Sequence, residues 1–276
     1  MRYFELQRLA GRSDFGPARP KVSLVIPTLN EALGLAHVLP RVPREVDEIV
    51  VVDGHSRDRT IETVYRVCPS ALIVFQAGRG KGNALKEGIR ASTGDIIITM
   101  DGDGSMDPDD IPEFVARLRG GYDFVKGSRE LAGAGSDDFT RLRRAGNSGL
   151  TAVANLIFGS EYTDLTFGFN GYWRSTINHL GCLADGFEFE IQAALRAASV
   201  GMQTSEVPTY EGARIGGKSK LNPVTDGTAI LRIIVAEASP RRAARFGAAA
   251  FASSALGQLP AGEMLVPESE LALAER

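Results

Sequence analysis

Apolar residues come in short bursts in the first half of the chain, each followed by a longer stretch of helical spacing. The run VSLVI (22–26), closed by Pro27, is a β-branched apolar stretch of the length of a buried strand. After Asn30 and Glu31, Ala32, Leu35 and Leu39 recur at helical spacing. The alternation repeats with a strand at 48–52, a helix at about 58–67 capped by Ser56 or Asp58, and a strand at 71–75. A glycine-rich loop, GRGKG (78–82), then leads into a helix at 83–92. A fourth strand at 95–100, a helix at 108–118 and a strand at 122–126 complete the half. Strands alternating with helices in this way predict an α/β fold, with a mostly parallel sheet and helices on both faces.

The second half is less regular. Residues 141–158 and 186–200 read as helices, 203–207 as a strand ending at Pro208, and 222–237 as a last helix. The stretch 163–173, rich in glycine and aromatics, reads as a loop or short strand, and 211–220 as a basic, glycine-containing loop. The organisation expected is a leader over 1–20, a catalytic domain over 21–238 and a weakly ordered, Ala-rich tail over 239–276. No internal repeat is present.

Composition narrows the classes. Of 276 residues, 43% are hydrophobic and 24% charged, as in an ordinary folded protein, and the net charge of -3 argues against a simple basic nucleic-acid binder. Cys68 and Cys182 lack metal-ligand spacing and read as free thiols in a reducing compartment. There is no apolar signal-peptide core, and no stretch approaches the roughly 20 apolar residues that cross a bilayer. A cytoplasmic protein is expected, with peripheral contact at the inner face of the membrane left open.

The chemistry gathers at the predicted strand ends, where ligands bind in open parallel sheets. PTLNE (27–31), DGHSRD (53–58) and DGDGS (101–105) bring three acidic clusters to one rim, which calls for a cation or cationic partners. Asp101 and Asp103 lie two apart on extended chain and can face the same way, while Gly102 and Gly104 let a ligand approach the backbone. Such hard oxygen donors suit Mg²⁺ or Mn²⁺ held jointly with phosphates. Asp53 is placed to accept hydrogen bonds from a base or ribose. Neither a Walker loop nor a dinucleotide-binding GxGxxG in strand-to-helix context occurs.

Taken in order, the segments VSLVIPTLNE (22–31), EIVVVDGHSRD (48–58), GKGNAL (80–85), GDIIITMDGD (94–103), KGSR (126–129), GFEFE (186–190) and GGKSKLN (216–222) resemble glycosyltransferase family 2, with its GT-A fold. The branch they resemble most is that of the polyprenyl-phosphate (dolichyl-phosphate) mannosyl- and glucosyltransferases. The resemblance spans residues 21–234. It implies that Pro27, Asn30, Glu31, Asp53 and Ser56 line a nucleotide-sugar pocket, with Lys81 near the base or ribose. It also implies that Asp101 and Gly102 lie near the ribose or metal, that Asp103 is a metal ligand, and that Arg214, Lys218 and Lys220 close over the donor diphosphate. Where relatives often carry Gln, this chain has Ser105, so a third protein ligand to the metal is not assured. Arg129, Arg143, Arg144 and Asn147 match positions that hold an acceptor phosphate, a role suited to bidentate arginines.

The resemblance implies an inverting hexosyl transfer from a UDP- or GDP-sugar to polyprenyl phosphate. A soluble small-molecule hydroxyl acceptor is the alternative, and a catalytically inactive sugar-nucleotide-binding protein is the alternative of another class. A nucleotidyltransferase is disfavoured, because PTLNE stands where its glycine-rich activating loop would follow the first strand. A hydroxyl acceptor needs a general base, for which Asp164 or Glu188, with Glu190 beside them, are the candidates.

Overall fold

The computed structural model describes residues 19–216 and 223–239. The leader and tail expected at the two ends, and Lys218 and Lys220, fall wholly or almost wholly outside them. Strands β1 (Val22–Thr28), β2 (Glu48–Asp53), β3 (Leu72–Phe75) and β4 (Ile96–Thr99) alternate with helices α1 (Ala32–Val38), α2 (Thr60–Val67) and α3 (Lys81–Ala91). There follow α4 (Ile111–Arg119), β5 (Phe124–Ser128), β6 (Gly135–Ser136) and the long α5 (Arg141–Phe158). The chain continues through β7 (Asn170–Trp173), α6 (Arg174–Leu180), α7 (Glu188–Ser199), β8 (Thr204–Pro208), β9 (Tyr210–Glu211) and α8 (Pro223–Glu237).

Seven strands form one sheet in the order β3-β2-β1-β4-β7-β5-β8, and β6 pairs with β9 alongside it. All neighbours in the large sheet are parallel except β7, which runs antiparallel to both β4 and β5. The β7 reversal was left undecided by the sequence pattern, and α6 was not predicted at all. The reversal has a functional result. The start of an antiparallel strand lies at the same rim as the ends of its parallel neighbours, so the Phe167–Gly168 approach to β7 joins the strand ends bearing Asp53, Asp101 and Arg129.

Each central strand feeds two cores because successive side chains point to opposite faces. Val25, Val50, Val52 and Ile97 pack with Ala84, Leu85 and Ile89 of α3 and with residues of α5 to α8. Leu24, Ile26, Val51, Ile96 and Ile98 pack against Leu35, Val38, Val64 and Phe114 on the other face. Full burial of each such side chain stabilises the fold by roughly 1.5–3 kcal/mol. The runs of consecutive apolar residues in β1, β2 and β4 follow from this two-sided burial.

The acidic turn after β4 is clamped from outside. A Cβ built on Gly34 of α1 would lie 2.2 Å from the Gly102 carbonyl oxygen and 2.6 Å from the Asp103 carbonyl carbon. Backbone meets backbone there, and neither side can yield by a rotamer change. Gly34→Ala is therefore expected to lower stability by about 1–3 kcal/mol, read as a fall in the urea midpoint; an unchanged midpoint would show that α1 does not seat on the turn this closely.

Candidate active site

The carboxyl rim carries two linked sets of charges. In the first, the Lys81 ammonium at the start of α3 lies 2.6 Å from Asp101 Oδ1 and 3.1 Å from Glu190 Oε2. It reaches that point because Gly80, at φ +93°, turns the chain into α3 where a Cβ would strike the Asp185 carbonyl oxygen at 2.3 Å. Burial alone would lower the Lys81 pKa, but Asp101 and Glu190 outweigh it and hold the ammonium above its ordinary value. Burial pushes the Glu190 carboxyl up, and Lys81 offsets only part of that. Among the described residues Glu190 Oε1 is buried without a hydrogen-bond partner.

The two aspartates of the DGD turn have separate cationic partners. Arg214 Nη1 lies 2.7 Å from Asp103 Oδ2, and Asp103 Oδ1 accepts from both the Ser105 amide and its hydroxyl. Ser105 thus braces Asp103. The cationic partners anticipated for this rim are Lys81 and Arg214. Two hard carboxylates already matched to positive charge suit a divalent cation that takes its remaining ligands from phosphate and water. Among the described residues, no three His, Cys, Asp or Glu side chains gather around one such point.

The second set centres on Arg129, at the end of β5. Its Nε donates to Asp164 Oδ2 at 2.7 Å and its Nη2 to Asp164 Oδ1 at 3.0 Å, a bidentate pair. Nη1 donates to Glu211 and Nη2 also to Thr166, both at 3.0 Å. The guanidinium is stacked between Phe139 and Phe167, at 3.8 and 4.6 Å from the ring centroids. Asn147 of α5 donates to Asp164 at 3.1 Å and accepts from Thr166. Asp164 is fully buried, and although burial would raise its pKa, Arg129 holds it below the usual carboxylate range. Between the two sets, Lys126 is completely buried and donates to the Phe167 carbonyl and to Asn170 Oδ1; burial lowers its pKa to about 8.

Both sets border one cavity of about 320 Å³. Its polar wall includes Lys81, Asp101, Arg129, Asn147, Glu188, Glu190, Glu211 and Arg214, and its apolar wall Phe139, Leu142, Leu150, Phe187, Ile191 and Ile230. Arg143 also lines it, paired with Asp138 at 2.8 Å, whereas Arg144 pairs with Glu130 on the exposed surface outside it. Asp164 lies behind Arg129 and does not line the cavity. Glu188, half-buried, does.

On the β1–β2 side, Asp53 Oδ2 accepts from the Ser56 amide and Oδ1 is buried without a partner among the described residues. Ser56 in turn accepts from the Asn30 amide, and the Glu31 amide donates to the Thr60 hydroxyl. Asn30 and His55 both have left-handed backbones, at φ 59° and 66°. The residues after Pro27 and after Asp53 therefore form one hydrogen-bonded corner. Sequence reasoning missed Glu211 and the Phe139–Phe167 sandwich. The position of Glu211 soon after a strand ending at Pro208 was the available signal, since the other acidic positions follow strands in the same way.

The sheet order, the single antiparallel strand and the acidic turn at its rim are those of a GT-A glycosyltransferase. The family model described as glycosyl transferase family 2 matches residues 23–181, and the chain belongs to that family. It is 31% identical over 245 residues to glycosyltransferase AglJ of Haloferax volcanii, covering 87% of this chain and 80% of that one. It is 30% identical over 217 residues to a dolichyl-phosphate hexose transferase of the same organism, covering 78% and 92%. Its fold is similar to that of glucosyl-3-phosphoglycerate synthase from Mycobacterium tuberculosis in complex with Mn²⁺, UDP and phosphoglyceric acid, with a TM-score of 0.64 and 21% identity over 80% of this chain and 79% of that one. The protein is a glycosyltransferase enzyme.

The Arg129–Asp164 pair yields a pH-dependent expectation. Asp164 has a lowered folded-state pKa, so its contribution to stability is full above the unfolded carboxylate range and is lost as the pH falls through the folded value. Arg129→Met should cost about 3–5 kcal/mol near neutral pH by stranding Asp164 and Glu211. The gap from wild type should narrow below about pH 4. Denaturant unfolding at several pH values tests this, and a gap that does not change with pH would show that the charge of Asp164 is not what Arg129 stabilises.

Proposed function

We propose that the protein transfers a hexose, with inversion, from a UDP- or GDP-sugar to polyprenyl phosphate, using Mg²⁺ or Mn²⁺. The observation that carries this reading is the cavity that joins the Asp101–Lys81–Glu190 cluster to Arg129, Arg143 and an aliphatic wall. One end suits a sugar diphosphate, and the rest suits an anionic head on an apolar chain.

The nucleoside would sit in the corner of Pro27, Asn30, Glu31, Asp53 and Ser56, where the unpartnered Asp53 Oδ1 is an acceptor for a base or ribose donor. Asp101 and Asp103 would hold the metal. When bound, Mg²⁺ or Mn²⁺ supplies Lewis acidity that stabilises charge on the departing nucleoside diphosphate. Lys81 holds Asp101 in place, while Arg214 adds positive charge beside the diphosphate. The new bond forms between an acceptor oxygen and the anomeric carbon as the bond from that carbon to the diphosphate breaks. In-line positioning of the two reactants then supplies much of the acceleration.

The state of the carboxylates favours a phosphate acceptor. Asp164 and Glu211 are tied to Arg129, and Asp101 and Glu190 to Lys81. Among the described residues only Glu188, of the candidate bases, is without such a pairing. An ionised phosphate needs no base, whereas a hydroxyl acceptor would depend on Glu188. Asp164 then acts as a positioning residue, holding the Arg129 guanidinium with one edge toward the cavity.

The test is a thermal-shift panel of UDP-, GDP- and TDP-sugars with and without Mn²⁺, followed by sugar transfer to polyprenyl phosphate. One nucleotide should raise Tm, and only with metal. Asp103→Ala should abolish both the metal-dependent shift and the transfer. Transfer by Asp103→Ala within a few-fold of wild type would remove Asp103 from the metal site, and transfer to soluble hydroxyl compounds alone would overturn the acceptor.

A further inference from the structure

Helix α5 is buried along one narrow stripe only, at Asn147, Thr151 and Ala154. Around the rest of its surface there is no charged residue between Arg144 and Glu161. At 3.6 residues per turn, Leu142, Gly146, Gly149, Val153, Leu156 and Ile157 share one face. Among the described residues nothing covers that face: Leu142 is 76% and Leu156 87% exposed, and a Cβ added at Gly146 or Gly149 would meet nothing within 4 Å. An exposed apolar strip of this length, on a helix that has a core of its own to pack against, is not explained by folding.

Two features indicate what covers it. Leu142 and Gly146 also line the cavity, so the strip is continuous with the apolar wall beneath the arginines. A second copy of the chain packed on this face would cap the cavity mouth. In the first turn of the helix, exposed Arg141 and the cavity-lining Arg143 flank the strip on its two sides, placed to meet anionic headgroups at one end of it. Among the described residues no helix is long and apolar enough to cross a membrane, so this face would lie on a bilayer rather than pass through it.

We infer that the outward face of α5 is a membrane-docking surface that rests on an anionic lipid bilayer and brings the cavity mouth to the level of the headgroups. The inference rests on the lipid-phosphate reading of the acceptor and deepens it. An amphiphile held by its phosphate against Arg129 and Arg143 could leave its chain along the α5 face without being lifted out of the lipid.

Flotation of the full chain with vesicles of phosphatidylcholine and phosphatidylglycerol in equal parts tests it. Wild type should float. Leu156→Glu combined with Ile157→Glu should weaken vesicle partitioning about ten- to hundredfold. Neither residue lines the cavity, so the thermal transition and transfer to a short, water-soluble isoprenyl phosphate should match wild type. If the double variant unfolds, Leu156→Ser alone repeats the measurement. A variant that floats as well as wild type overturns the inference. So does a wild type that ignores vesicles but forms a dimer in sedimentation that the variant dissolves. Vesicle binding through this face without transfer to any isoprenyl phosphate would leave the docking surface standing and overturn the acceptor. Transfer in solution by a protein that never binds vesicles would do the reverse.

Discussion

Removing a guanidinium from water costs several kcal/mol unless its charge and donors are matched, and the acceptor side of this site is arranged around meeting that demand for Arg129. The residue lies at the end of β5 with its side chain 5% exposed. Its partners come from four separate pieces of chain: Phe139 before α5, Asn147 on α5 through Asp164, the 164–167 loop before β7, and Glu211 on β9. The β6–β9 pairing and the seating of α5 over the rim both converge on this one cation. Removing Arg129 leaves both carboxylates, Asp164 and Glu211, without the cation they share.

The donor side follows the same logic at smaller scale. Asp101 and Glu190 carry like charge, and Lys81 is the cation they share, within 2.6 and 3.1 Å of them. Lys126, buried between the two sets, feels Asp164 and Glu190 together, so the charge states on the two sides are linked through the interior. Bound metal and diphosphate would enter a rim whose Asp101 and Asp103 are already oriented and paired. Little reorganisation is then left for the moment of transfer, the condition under which electrostatic stabilisation is most effective.

Polar and apolar walls meet in one cavity because α5 carries both. Its Asn147 stripe faces the Arg129 hub, and its adjoining aliphatic face runs outward from the cavity to the surface. A single helix thus joins the charge chemistry at the sheet rim to whatever lies against the outside of the protein.

The sequence by itself determined the α/β alternation, the strands of the first half and the acidic turns that end them. Strands buried on both faces read as uninterrupted apolar runs, and the residues after them must lie at the carboxyl rim of a parallel sheet. It also determined the family, through motifs whose order is preserved along the chain. The direction of β7 was decided only in three dimensions, because a four-residue strand has the same pattern whichever way it runs. The pairing of Arg129 with Asp164 and Glu211, 35 and 82 residues away, was also decided there. Nothing local in Lys-Gly-Ser-Arg shows that its guanidinium is braced by two carboxylates and two rings while it borders the cavity. The bare face of α5 was equally hidden: its spacing predicts a helix with an apolar side, and only the packed structure shows that this side is not the one turned to the core.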